Sequence, residues 1–449
     1  MKTLNNEMKK IFIFCCIALL LTNCGNNQRR GSDRKSATSN DTLSVHNIIP
    51  IVKPTVNVYI ENSGSMDGYV NGNTEFKGAI RDLLVLLKHY YGTEEDKIKV
   101  NFINNRIRET DTQIDLATFA TNINQHWRVQ GEDSRSSNLN NVFKMILDKT
   151  DNNSISILFS DCIYSISGRD SEGLLSDEKS LTKDAFLSRW RQDSLKLATT
   201  IIKMKSRFYG AYWDKNNDST HLDGDIRPYY ICVIGNNDVM LDFNSKIPLE
   251  KDKIEGFDNK YVISTGVADK LYYSVLISTD NVGRFKANRN ASTKEYIRGI
   301  KDVDMKSSGG NKFTFAVAVD LNNVPAEEDY LLSHENYTYG DNNFHIKEIK
   351  PIDKNNISAS DWVRISSANP THIIVLEAIG TAISDVKVSL KKQMPKWIEQ
   401  SNIIDDRNIK NNLDKTFGIK YLIEGIAEAY QIIYPDDKNF FEFEIKINS

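Results

Sequence analysis

Thr55-Val56-Asn57-Val58-Tyr59-Ile60-Glu61-Asn62-Ser63-Gly64-Ser65-Met66 is the stretch on which the reading of this chain turns. Thr55 to Ile60 is rich in β-branched and aromatic side chains, as a buried strand should be. The polar turn that follows leads into Phe76, Ile80, Leu83, Leu84 and Leu87, whose spacing gives an amphipathic helix. Outward from this unit, Lys97 to Phe102 and Ile155 to Phe159 read as further strands, with a short helix over Leu139 to Leu147 between them. Phe186, Trp190, Leu197, Ile201 and Met204 mark another long helix, and Phe208 to Trp213 and Tyr229 to Val233 two more strands. Strands that alternate with helices predict an α/β fold: a doubly wound, mostly parallel sheet covered on both faces, over residues 54–245.

Beyond residue 245 the texture changes. Tyr261 to Ile263, Tyr272 to Ile277, Phe313 to Val319, His345 to Ile349 and His372 to Leu376 are strand-like, separated by Asn, Asp, Gly and Pro clusters. Leu422, Ile426, Ala429 and Ile433 fit a helix stopped by Pro435, and Phe440 to Ile445 alternates like a final strand. The expectation for 246–449 is a β-rich, sandwich-like second domain with one packed helix.

The first residues bear on the compartment. Lys9 and Lys10 precede the apolar run Ile11 to Leu21, which is too short to span a bilayer comfortably. Leu21-Thr22-Asn23-Cys24-Gly25 then resembles the lipobox of bacterial lipoproteins, with Asn23 standing where Gly, Ala or Ser is usual. The resemblance implies a signal peptide over 1–23 and acylation of Cys24, hence a cell-envelope protein tethered to a membrane by lipid alone, the periplasmic face slightly favoured. Residues 24–53 read as the lipidated Cys and a flexible linker. The stretch 26–36 has no apolar side chain and four basic ones, Arg29, Arg30, Arg34 and Lys35. About 25 residues of such chain would hold the folded part roughly 25–30 Å from the membrane. A formal charge of -3 on 449 residues offers no basic field, so nucleic acid is not an expected partner.

Three polar clusters fall where a doubly wound sheet places its ligands, at the carboxyl ends of strands. They are Glu61-Asn62-Ser63-Gly64-Ser65 after the first strand, Ser136-Ser137-Asn138 opening a helix, and Ser160-Asp161 after the central strand. Together they resemble the von Willebrand factor A family over roughly residues 54 to 240. By position, Glu61, Ser63 and Ser65 match its Asp-x-Ser-x-Ser loop, Ser137 its Thr, and Asp161 its closing Asp. The resemblance implies a metal-dependent adhesion site holding a divalent cation, Mg²⁺ first and Mn²⁺ or Ca²⁺ next, whose open position takes an acidic side chain from a protein partner. Hydroxyl and carboxylate oxygens are the ligands such hard ions prefer. Two departures stand out: Glu61 is one methylene longer than Asp, placing its carboxylate about 1.5 Å further out, and Ser137 lacks the β-branch that stiffens Thr. In the family's strand order one strand separates Cys162 from Cys232, about 9–10 Å, so both are expected as free thiols.

Tyr69, Trp127 and Tyr164 are candidate partner contacts on the rim, and the polar insertion from Ser165 to Leu181 is expected to project from it. Asp214-Lys215-Asn216-Asn217-Asp218 begins like a calcium loop but has Ser219 where the sharp turn needs Gly, so it reads as a hairpin connection. His334-Glu335 lacks the second His of a zinc-protease motif, and neither a nucleophile elbow nor a phosphate loop is present. No catalytic residue is assigned. The expected function is metal-dependent protein binding at the envelope. The alternative is a structural assembly protein with a vestigial, metal-free site, and the remotest is an envelope hydrolase.

Overall fold

The computed structural model describes residues 53–92, 97–110, 137–166, 168–264, 271–308, 312–340 and 343–448, with 119, 122 and 123 besides. The expected signal peptide, Cys24 and most of the linker lie outside the described residues, as does Trp127. Residues 52–449 form one compact unit.

Strand β1 (Thr55–Glu61) buries Val56, Val58 and Ile60 on one side and Tyr59 on the other, because helices cover both faces of the sheet around it. The short α1 (Asp67–Val70) and then α2 (Glu75–Tyr91) follow, and Phe76, Ile80, Leu83, Leu84 and Leu87 are all buried on one face. Strands β2 (Ile98–Ile103) and β3 (Ile107–Glu109) lead to α3 (Leu139–Lys149), which packs on the opposite face. Asn138 caps α3 by accepting from the Asn141 amide. Then come β4 (Ser154–Ser160), α4 (Ser171–Asp193), β5 (Leu197–Trp213), β6 (Ser219–Asn236), α5 (Asn237–Lys246) and β7 (Phe257–Ile263). The sheet order is β3-β2-β1-β4-β6-β5-β7. β1 runs parallel to both β2 and β4, with Ile60 opposite Phe102 and Phe159. Since α2 and α3 lie on opposite faces, the winding reverses at β1 and β4, and the crevice at their carboxyl ends is where ligands bind in such sheets.

The α/β class is as expected. The mostly parallel sheet is met over β2-β1-β4 and gives way to antiparallel pairing from β6 outward. The long helix expected to include Leu197, Ile201 and Met204 ends at Asp193, where Ser194 turns left-handed at φ 56°. Those residues belong to β5, whose run Leu197 to Met204 is buried on both faces, so a doubly covered strand mimics helical spacing. Phe208 to Trp213 and Tyr229 to Val233 are parts of one long β5-β6 hairpin joined by the polar connection at Asp214 to Asp218. Lys203 and Ser160 both face Tyr230, so β5 beyond Lys203 runs past the end of β4 and stands over the crevice. The insertion expected to project from the rim is instead largely the first half of α4, held by Leu175 in the core and by the Lys179–Glu428 pair at 2.9 Å.

β7 and part of the C-terminal region lie with this sheet, beyond the expected boundary at 245. β7 pairs with β5, and helix α6 (Ile419–Ile433) buries Leu422, Ile426 and Ala429 on the α3–α4 face. Most of the remaining strands form two further sheets, antiparallel but for the pairing of segments 299–304 and 439–448. One sheet holds β8 (Tyr273–Leu276), β11 (Thr314–Val319), β13 (Phe344–Pro351) and β14 (His372–Ala378). The other holds β9 (Arg284–Ala287), β10 (Gly299–Asp304), β12 (Tyr337–Tyr339), β15 (Val386–Lys391) and β18 (Asn439–Asn448). Both contribute to one core, with Tyr273 stacked on Phe443 at 4.9 Å. The strap between them and α6 carries a small ladder, β16 (Asn402–Ile403) with β17 (Thr416–Phe417).

Candidate functional site

Glu61 ends β1 and Ser160 ends β4, so their side chains meet at the top of neighbouring parallel strands. Glu61 Oε1 accepts from the Ser63 hydroxyl at 2.7 Å and from Ser137, which the start of α3 delivers from across the crevice. Its other oxygen accepts from Ser160. Ser63 and Ser65 hydroxyls lie 3.1 Å apart, and Ser65 is near enough to Asp161 to favour its ionised form. Asp161 Oδ1 accepts from the Ile163 amide at 3.2 Å. Glu61, Ser63, Ser65, Ser137 and Asp161, gathered from three separate stretches of sequence, thus form one cluster. Ser65 is its part-exposed member; the others are buried, Glu61 and Asp161 at 2 % exposure.

The electrostatics follow from that burial. Burial above all, and the Glu61 charge next, push the Asp161 carboxyl up to about 7, against the Ser65 hydroxyl, the Ile163 amide and the Arg227 charge, which favour ionisation. Two neighbouring buried carboxylates without a cation repel each other, and a divalent ion between them would relieve both the repulsion and the desolvation. The Asn62 side-chain oxygen, in the same loop, is buried and has no hydrogen-bond partner among the described residues. The donor set is all oxygen, which fits Mg²⁺ or Ca²⁺ and not a soft metal. Among the described residues no three His, Cys, Asp or Glu side chains converge, so a cation here would rest on two carboxylates and the hydroxyls.

Sequence reasoning missed Arg227. It is 1 % exposed in β6 and close enough to Asp161 to act on its charge. Its Nη1 donates to the carbonyls of Leu413 at 2.8 Å and Lys415 at 2.9 Å, and its guanidinium covers the Tyr212 ring. An Arg beside Pro228 in a strand carries no signal of such a role. Ser160, adjacent to Asp161, was legible as part of the polar cluster after the central strand but not as a Glu61 partner.

The rim aromatics are corrected. Tyr69 is 1 % exposed, edge-on to Phe208 at 5.0 Å, with its hydroxyl donating to the Pro228 carbonyl. Tyr164 is buried against Thr182. Both are core residues, since α1 tucks under the β5-β6 hairpin and α4 closes over Tyr164. The hairpin itself exposes Trp213 and Ile226. Cys162 and Cys232 are free thiols, as expected, but no strand separates them: β4 pairs β6 directly, with Leu158 opposite Cys232.

Fold and site define an α/β sheet protein with an all-oxygen polar cluster at its winding reversal. Compared with protein-family models, with curated proteins and with solved structures, the chain finds no match.

Proposed function

We propose that this chain is a cell-envelope lipoprotein, tethered through Cys24, that binds a protein partner through a divalent cation held by Glu61, Ser63, Ser65, Ser137 and Asp161. The observation that supports this most is the gathering of those five side chains at the carboxyl ends of β1 and β4, with Asp161 raised in proton affinity by burial first and by its Glu61 neighbour next. Mg²⁺ suits the set best, and a carboxylate from the partner completes its shell. The role is recognition; no residue of the cluster is assigned as a general base for a bound water. Calorimetric titration of EDTA-treated protein with MgCl₂ tests it. One ion bound per chain, with the heat abolished in Asp161→Ala, is the expected result; no heat in the wild type contradicts it. Transfer of Cys24→Ala from the membrane pellet to the soluble fraction tests the tether.

A second reading has its own observation. Both Glu61 oxygens are already occupied by serine hydroxyls, so the carboxylate is satisfied without a cation. On that reading the cluster is a structural tie between β1, α3 and β4, and the protein is an assembly component of the envelope.

A further inference from the structure

β7 is the last strand of the seven-stranded sheet, and among the described residues no strand pairs with its outer edge. A cleft of about 730 Å³ runs along it, lined by β7 residues Phe257 to Val262 on one side and by segments 325–336 and 393–397 on the other. A free strand edge presents a row of backbone N–H and C=O groups that another extended chain can pair with. The six β7 residues that line the cleft, Phe257 to Val262, give about 20 Å of such edge, enough for a short extended peptide. Aromatic side chains line the cleft, Tyr261 on β7 and Tyr330, Trp397 and Phe440 from other segments.

The charge across the cleft is uneven. Lys260 is committed to Glu327 at 3.1 Å and Lys396 to Glu335, while Lys251, just before β7, is exposed with no ion pair among the described residues. Glu328 and Asp329 are exposed on the wall opposite β7; Glu328 faces His372, and Asp329 has no ion pair among the described residues. We propose that this cleft binds an extended, lysine- or arginine-bearing peptide segment of another protein as an added strand on β7, its basic side chains directed at Glu328 and Asp329. This surface is separate from the oxygen cluster at the ends of β1 and β4 and does not depend on the reading of that cluster.

The test uses the whole protein and three fluorescent seven-residue probes: one alternating valine with lysine, one alternating valine with glutamate, and the lysine peptide with a central proline. The lysine probe should bind at micromolar to submillimolar concentration, the glutamate probe roughly tenfold more weakly, and the proline probe not at all, because it lacks a ladder amide. Amide hydrogen exchange should slow at alternate residues of 257–263 when the lysine probe is bound. The charge-reversed variant Glu328→Lys with Asp329→Lys, both exposed, should reverse the preference between the lysine and glutamate probes. Binding of none of the probes up to millimolar concentration overturns the proposal. So does binding without protection of β7 amides, or a β7-dependent dimer in sedimentation, which would make a second copy the occupant.

Discussion

Ser160, the last residue of β4, donates its hydroxyl to Glu61, the last residue of β1, across the boundary between two parallel strands. The bond locks the carboxylate that a cation would otherwise claim. Ser160→Ala leaves a buried carboxylate oxygen without this partner, at a cost of about 1–3 kcal/mol in the metal-free protein. Urea unfolding in EDTA should show that loss, and Mg²⁺ should restore part of it by occupying the freed oxygen. An unchanged midpoint in EDTA would mean that the hydroxyl and carboxylate are not coupled.

Stability of the metal-free protein should fall as pH rises toward neutrality, and Asp161 should be the cause. Its folded-state pKa of about 7 lies above the ordinary aspartate value, so the native state holds the proton more tightly than the unfolded chain does. The contribution is fully present below about pH 4 and is lost as pH rises through about 7. Between pH 5 and 8 the wild type should lose stability relative to Asp161→Asn, which stays neutral throughout. Parallel urea midpoints for the two proteins across that range would contradict the assignment.

Arg227 should be irreplaceable by lysine. Its Nη1 donates to the carbonyls of Leu413 and Lys415 while the planar guanidinium covers the Tyr212 ring, and a compact, strongly hydrated lysine ammonium cannot reach the carbonyls and cover the ring at once. Each buried carbonyl left without a partner costs about 1–3 kcal/mol. Arg227→Lys should therefore lower the unfolding midpoint and speed hydrogen exchange in 409–417 more than elsewhere. Uniform exchange would show that the strap is held by other contacts.

Gly68 is required by contact, not by backbone angle. A Cβ there would overlap the ring of Phe208, where α1 passes beneath the β5-β6 hairpin. Gly68→Ala should destabilise by about 1–3 kcal/mol through overpacking, and Phe208→Leu in the same chain should recover part of it. No recovery would place the strain elsewhere.

Much of the site was legible because its residues sit at strand ends, where a change from apolar run to polar cluster is visible in one dimension. Glu61 follows Thr55 to Ile60, Asp161 follows Ile155 to Ser160, and Ser137 precedes the apolar spacing of Leu139 to Leu147. The outer half of the sheet was not legible in the same way. Leu197 to Met204 is covered on both faces, which erases the period of two and leaves an apolar run that helical spacing also fits. The pairing of β7 with β5, and of α6 with the α3–α4 face, joins segments far apart in sequence and leaves no local mark. Arg227 shows the same limit: its neighbours in space come from 412–415, and nothing near residue 227 announces them.

Thermal unfolding of residues 50–449, first in EDTA and then with Mg²⁺, Mn²⁺ or Ca²⁺, decides whether the Glu61–Asp161 cluster holds a cation. An ion at a hundred times its dissociation constant, bound to the native state alone, adds about 2.7 kcal/mol. Tm should rise with Mg²⁺, and the rise should vanish in Asp161→Ala and in Ser63→Ala. An unchanged Tm with all three ions would contradict a cation site there and leave Glu61 and its serines as a structural tie.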